Sequence, residues 1–351
     1  MLQRDNYLKA VHFDRPDYIP AIFAINRACW ASYDQTALKQ LMNGHKLLFP
    51  DFEYSDAPVV PDCRPWIKDV PFTDDWGCVW RTTQDGIVGT VIKHPMSDWA
   101  NLSSFTPPNP DACNGLGKID WRQEAARFEK LRQDGQVTIG GLRHGHTFLQ
   151  LCDMRGYENL MFDMFDQRPE LDTLIEMLED FNMGIIKNYI RLSPDVMMYP
   201  EDLGMQVGPM LSPEQFRRYI KPSYARLIKP ARDAGCPIHM HSDGDIRLLA
   251  EDLIEGGVEI LNLQDTTNGI EWIRDNLKGR ICLDIDIDRQ AVTRFGSPEQ
   301  IFGHIGNIKK QLGSPEGGLM MIYGLYPGLP LENVKAVMDA MEFYCFEKGH
   351  K

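Results

Sequence analysis

From Trp121 onward the chain alternates short apolar runs with longer amphipathic ones. The runs at 136–140, 195–199, 236–240, 258–263, 280–285 and 318–322 are apolar or β-branched and read as strands. The stretches 121–133, 158–165, 169–192, 213–234, 245–255, 270–277, 298–311 and 331–346 carry the helical period. Ser-Pro-Glu-Gln occurs at Ser212 and again at Ser297. Each copy reads as a helix start, with Ser at the N-cap, Pro in the first turn and Gln three residues on. Pro222 or Pro230 is expected to interrupt the long stretch that contains them. Residues 1–120 read as irregular, rich in Pro, Trp and Asp, with a buried strand at 18–24 and a strand followed by a turn at 86–94.

Strands and helices in alternation imply parallel strands joined by right-handed crossovers. At least six strands after residue 130, with one near residue 20, suit a (β/α)₈ TIM barrel better than a doubly wound sheet. No GxGxxG follows the early strand, so a dinucleotide-binding fold has no support. The expectation is one barrel domain over residues 1–351, with 1–120 partly covering its mouth.

Composition narrows the classes. Hydrophobic residues make up 43%, yet no run approaches the ~20 apolar residues of a membrane span. The start, MLQRDNYLKAVHF, has no apolar run behind a basic segment, so no signal peptide is expected. Eight cysteines are scattered without CxxC, as expected of reduced thiols in a cytoplasmic protein. Thirty-seven Lys and Arg against fifty Asp and Glu give a net charge of −13, which would repel nucleic acid and anionic membranes.

In such barrels chemistry gathers at the C-terminal strand ends, and polar residues recur there. Glu201 and Asp202 follow 195–199; His239, His241 and Asp243 lie in and after 236–240. Asn262, Gln264 and Asp265 lie in and after 258–263; Asp284, Asp286 and Asp288 in and after 280–285. Tyr323 follows 318–322, and Arg143, His144 and His146 follow the strand near 138. Residues two apart on a strand face the same way, so His239 and His241 are placed to share a cation such as zinc. The plainer alternative stays open: His239 in the core, Asp243 a helix cap, and His144 and His146 loop or supporting residues.

Three stretches, 201–216 (EDLGMQVGPMLSPEQF), Lys221-Pro222 and His241-Ser242-Asp243-Gly244, resemble the uroporphyrinogen decarboxylase-like superfamily, in its cobalamin-dependent methyltransferase branch. Segments such as 4–20, Asp75-Trp76-Gly77, 155–158, 256–262 and 317–334 extend the likeness over nearly the whole chain. The resemblance implies a single (β/α)₈ barrel. True porphyrinogen decarboxylases carry an Arg-rich segment near the N-terminus for substrate propionates; here 21–27 (AIFAINR) has one Arg. The methyltransferase branch often binds zinc through His-x-Cys-Gly and a later Cys. Here Asp243 replaces the first Cys, and the later position falls near Tyr323. The resemblance therefore implies a metal held by N and O donors: His241, His239 and carboxylates such as Glu201, Asp202 or Asp243.

A harder site suits polarising an ether oxygen more than holding a thiolate. The implied reaction moves a methyl group from a methoxylated, aromatic substrate to Co(I) of a corrinoid. Tyr323, Asp202 and Asp243 are the candidate catalytic groups, and Trp76, Trp80, Phe148, Asn262 and Gln264 the candidate substrate contacts. No Asp-x-His-x-x-Gly cobalamin anchor is present, so the corrinoid is expected on a separate protein. Oligomeric state stays open, a homodimer included. Two other functions also stay open: a metal-dependent hydrolase of the amidohydrolase type, which uses His-x-His on a barrel strand, and a non-catalytic ligand-binding barrel.

Overall fold

The computed structural model describes residues 2–346. The chain divides into two compact units. One comprises Met1–Asp69, Thr82–Val88 and Asn262–Lys351; the other comprises Val70–Arg81 and Gly89–Leu261. In chain order the parallel strands are β1 (Ala21–Ile25), β2 (Ile139–Gly141), β3 (Val196–Asp202), β4 (Ile238–Asp243), β5 (Ile260–Gln264), β6 (Cys282–Asp286) and β7 (Leu319–Leu325).

In the second unit β3 lies between β2 and β4. The registers are Ile139↔Val196 on one side and Met197↔Ile238 through Asp202↔Asp243 on the other. The β5 segment begins in this unit, where the Glu259 N–H donates to the Ile238 carbonyl at 3.0 Å. In the first unit the end of β5 is followed by β6 and β7, and β7 pairs with β1 through Ala21↔Met321 to Ile25↔Leu325. Within each unit, strands that follow one another in the chain are neighbours and parallel. This is the single winding of a (β/α)₈ barrel, not the reversal of a doubly wound sheet. Every residue of β6 is buried, as a parallel strand covered on both faces requires.

Helix limits follow local chemistry. Ser297 forms a full capping box with Gln300 ahead of Pro298–Leu312, and Ser212 accepts the Gln215 N–H at 3.2 Å. The expected interruption in 213–234 is a wide turn at Phe216–Ile220, just before Pro222. Pro230 sits inside the helix Lys221–Asp233. A proline ring crowds the carbonyl four residues back, and the wider turn relieves that crowding.

Residues 1–120 are more regular than the sequence reading. They contain the helices Arg4–Val11 and Gln35–Gly44, and an antiparallel three-stranded sheet of Phe72–Thr73, Val79–Arg81 and Thr90–Lys93. Gln35–Gly44 is started by Asp34, whose carboxylate accepts the Ala37 N–H at 2.8 Å. All eight cysteines are free. No described helix is long and apolar enough to cross a membrane.

Candidate active site

The polar residues that the sequence places after two strands are the last residues of the strands themselves. Strand β3 runs on to Asp202 and β4 to Asp243, which fixes their side chains by ladder register. Asp202 is the hub. Its Oδ1 lies 3.3 Å from His144 Nε2 and 3.4 Å from His241 Nε2, and accepts the Asp243 backbone N–H at 3.0 Å. The two imidazole rings are 5.6 Å apart. One ligand atom from each of His144, Asp202 and His241 lies within 4.8 Å of the others. Side-chain exposures of 50%, 27% and 17% make the group reachable from solvent. Burial alone would raise the Asp202 pKa. Hydrogen bonds and charge from His144 and His241 outweigh it and hold the carboxyl well below the usual range, so Asp202 is an anion at neutral pH.

These distances fit a metal. Four ligands at ~2.0–2.1 Å in a tetrahedron sit ~3.3 Å from one another, close to the 3.3 and 3.4 Å separations about Asp202. An N, N, O donor set of this kind would suit a zinc-like cation.

The turn after β4 has a steric cause. Gly244 has φ +81°, and a Cβ there would lie 2.1 Å from the Gly204 carbonyl carbon. Only glycine lets the two chains approach this closely. Beside it, Asp243 places Oδ1 3.8 Å from His241 Nε2.

Glu201, expected as a metal ligand, does other work. Adjacent strand residues face opposite ways. Fully buried, its carboxylate accepts the N–H groups of Thr147 (3.2 Å) and Phe148 (2.6 Å) and the Tyr224 hydroxyl (3.0 Å). Burial pushes its pKa up to about 7, against the lowering effect of those donors. The helix Phe148–Arg155 has no side-chain cap of its own at Thr147, and Glu201 supplies one from β3. Two backbone bonds, Leu142 N–H to the Met198 carbonyl and Gly145 N–H to that of Pro200, tie the preceding loop to the same strand. Strand β3 thus holds the loop that carries His144.

His239, the other expected ligand, is buried at 6% exposure within β4, paired in register with Met198. Among the described residues the three-ligand group takes His144 in place of His239 and Glu201. The signal for His144 is its position after a barrel strand, but its loop offers no register by which to place it.

The expected aromatic lining is core. Trp76 is 2% exposed between Phe181 (ring centroids 5.0 Å) and Phe105 (6.2 Å). The Trp80 indole N–H donates to Asp74 at 2.8 Å, and Phe148 is fully buried. Large aromatic side chains near strand ends fill the space beneath covering helices as readily as they line a cleft.

Asn262, Gln264 and Tyr323 belong to the first unit. The Asn262 amide donates to the Asp284 carbonyl at 2.6 Å, and Gln264 Oε1 accepts the Thr267 hydroxyl at 3.2 Å. The Tyr323 hydroxyl donates to Thr293 Oγ1 at 3.1 Å, and burial raises its pKa, so it keeps its proton at neutral pH.

The family model for uroporphyrinogen decarboxylase (URO-D) matches residues 76–344. The chain belongs to the uroporphyrinogen decarboxylase family. A relative named uroporphyrinogen decarboxylase from Thermus thermophilus is 31% identical over 261 residues, 72% of each chain. One of the same name from Coxiella burnetii is 22% identical over 262 residues, 73% of this chain and 70% of that one. Among solved structures, a methyltransferase from Methanosarcina mazei covers 98% of this chain and 100% of its own, with a TM-score of 0.63 at 15% identity. That likeness shows a common fold. This member of the family is therefore a (β/α)₈ barrel whose cluster of imidazoles and carboxylates stands on β3, β4 and the loop after β2.

Proposed function

We propose that this enzyme transfers a methyl group from the oxygen of a methoxylated, aromatic substrate to the Co(I) centre of a corrinoid carried by a partner protein. The observation that carries this reading is the His144–Asp202–His241 cluster at the ends of parallel strands, built of donors that suit a hard or borderline cation. The contrast with tetrapyrrole decarboxylation supports it. A substrate with many carboxylates needs several cations. Segment 21–27 supplies Arg27, which donates to the Asp62 carbonyl at 2.7 Å.

His144, His241 and Asp202 would hold the metal, zinc being the reference case. Bound there, it would act as a Lewis acid on the ether oxygen. Ionised Asp202 keeps both Nε2 atoms turned to one point. Asp243 supports His241, and the departing oxygen takes its proton from the solvent that reaches the cluster. In the reaction the methyl–oxygen bond breaks, a methyl–cobalt bond forms using the electron pair of Co(I), and the oxygen leaves as the alcohol or phenol.

The test is an anaerobic assay with a reduced corrinoid protein and a panel of aryl methyl ethers, followed by the methyl-cobalt absorption. A methyl-cobalt signal that His241→Ala removes is the expected result. No signal with any donor class and a competent partner would sink the reading. Uroporphyrinogen offered to the same preparation tests the activity named in its relatives, and efficient decarboxylation would replace the proposal.

A further inference from the structure

The loops that enter β6 and β7 line a cavity of about 460 Å³ in the first unit. It lies at the N-terminal ends of these strands, since Gly279 precedes Cys282, and Gly317 and Gly318 precede Leu319. Chemistry in such barrels gathers at the other ends, and none of the strand-end polar residues lines this cavity. The volume is far above the ~30 Å³ of one water and falls in the range of small-molecule sites, ~300–1,000 Å³.

The walls are fixed by backbone contacts. The turn through Phe13 follows the helix Arg4–Val11 and is stitched to the entry of β7. The Arg15 N–H donates to the Glu316 carbonyl at 3.0 Å, and the Gly318 N–H to that of Ala10 at 2.8 Å. Phe13 is held at φ +56°, in the left-handed region that residues with a Cβ rarely adopt. Its ring lies against Gly318, where any Cβ would collide with it. Gly279, at φ +77°, has no atom within 4 Å of the place its Cβ would take.

The polar groups are unevenly matched. Glu316, the one carboxylate among the described lining residues, is held by Arg15 through two bonds of 3.0 Å. Lys278 Nζ donates to the Gln311 carbonyl at 2.9 Å and has no carboxylate within ion-pair distance among the described residues. An ammonium carries three donors, so most of its capacity is left over. The Ser314 hydroxyl accepts the Glu316 N–H at 3.2 Å, and its own proton has no protein acceptor among the described residues. Donors without acceptors thus share a cavity with two apolar walls, the Phe13 ring and the buried Leu312. A cation beside apolar walls is best compensated by an anion that bonds it directly.

We propose that this cavity binds a small organic anion, a carboxylate carried on an aromatic or other apolar body. Lys278 and Ser314 donate to the carboxylate, and Phe13 and Leu312 pack against the body. The site is separate from the strand-end chemistry of the first unit and does not rest on the methyl-transfer reading. A ligand there joins the turn after the first helix to the helix Pro298–Leu312 and to the entries of β6 and β7, and so stabilises the folded protein by mass action.

Calorimetry on the full chain tests this with benzoate, the neutral benzyl alcohol, and acetate, which lacks the ring. Benzoate is expected to bind at least ~10-fold tighter than either. One charge-assisted hydrogen bond accounts for the first difference and burial of the ring for the second. Lys278→Met should abolish the preference over benzyl alcohol, and Ser314→Ala should reduce it, while His241→Ala leaves benzoate affinity unchanged. Benzoate should also raise the midpoint of thermal unfolding of the wild type and not that of Lys278→Met. Absence of benzoate binding would overturn the proposal, as would equal affinity for benzoate and benzyl alcohol, or an unchanged preference in folded Lys278→Met. Acetate binding as tightly as benzoate would overturn it in favour of a bare anion site. Benzoate affinity lost in His241→Ala and kept in Lys278→Met would overturn it in favour of the strand-end cluster. Where Lys278→Met does not fold, an undiminished preference in Ser314→Ala overturns it instead.

Discussion

Histidine meets aspartate in two contrasting arrangements, one in each unit of this protein. In the first unit, His304 Nε2 lies 2.7 Å from Asp265 Oδ2, with Asp265 fully buried and the His304 side chain 11% exposed. That pair joins the helix Pro298–Leu312 to the short helix Asp265–Asn268 after β5, one imidazole to one carboxylate. In the second unit, Asp202 is shared by the imidazoles of His144 and His241 at longer distances, and all three side chains reach solvent. The first arrangement is a closed strut. The second gathers two imidazoles about one carboxylate at 3.3 and 3.4 Å, and it has access. Residue type therefore does not separate structural from chemical roles here; stoichiometry and exposure do.

The largest effect expected from this contrast is on stability. Asp265→Asn breaks a sealed pair and should cost about 3–5 kcal/mol in denaturant unfolding, because an imidazole is left buried without its counter-charge. Activity per folded molecule should hold. If Asp265→Asn instead removes activity from a protein of normal stability, the strut assignment fails.

Next comes the open cluster. His241→Ala or Asp202→Asn should lower affinity for Co²⁺ or Zn²⁺ by more than the roughly 10–100-fold that loss of a supporting partner costs a metal site. The midpoint of thermal unfolding of the apo protein should move little, since these side chains are partly exposed. Titration of wild type and variants with Co²⁺, read by visible absorption, decides the point. His239→Ala serves as the comparison: a loss of Co²⁺ affinity equal to that of His241→Ala would restore His239 as a ligand.

A smaller effect is expected where the two behaviours mix. Glu201→Ala removes the shared acceptor of the Thr147 and Phe148 N–H groups and the Tyr224 hydroxyl, and with water entering the space left should cost about 1–3 kcal/mol in all. It should also weaken metal binding through the His144 loop, whereas Glu201→Gln, which still accepts a hydrogen bond, should recover most of the affinity. Equal losses in both variants, without faster amide exchange at Thr147 and Phe148, would make Glu201 a ligand after all.

The smallest expected signal is the pH dependence of the strut. Burial lowers the His304 pKa, but the hydrogen bond and charge of Asp265 outweigh it, and the folded value is raised. The folded state therefore binds the proton more tightly than the unfolded chain, whose histidines titrate near ~6.5. The contribution is full below that value and is lost as pH rises through the raised folded pKa. The difference in unfolding midpoint between wild type and His304→Gln should shrink with increasing pH above neutrality. A difference that grows would reverse the assigned protonation.

Much of the architecture was legible in the sequence because it rests on local periodicity. The helices Trp121–Gln133 and Pro298–Leu312 and the six strands from β2 to β7 lie within a few residues of their expected limits. The two Ser-Pro-Glu-Gln starts behave as their cap chemistry requires. Residues 1–120 were harder, since the helix Gln35–Gly44 buries only Leu38 and Lys39 and its neighbours are proline-rich. In the site, position after an apolar run marked Asp202 and His241 as strand-end groups, and the two residues lie in the last residues of β3 and β4. It gave no means of ranking Glu201 against Asp202, which differ only in the side of the strand they occupy.

The sequence by itself determined the alternation of strand and helix, the glycine that turns the chain after Asp243, and the set of polar residues that end the strands. These follow from side-chain periodicity and backbone sterics, which act between near neighbours. Only the tertiary structure decided which of those residues meet. Ladder pairing of β3 with β4 sets Asp202 beside Asp243, and the loop stitched to β3 brings in His144. Contacts between residues tens of positions apart depend on register and burial, which the pattern along the chain does not encode.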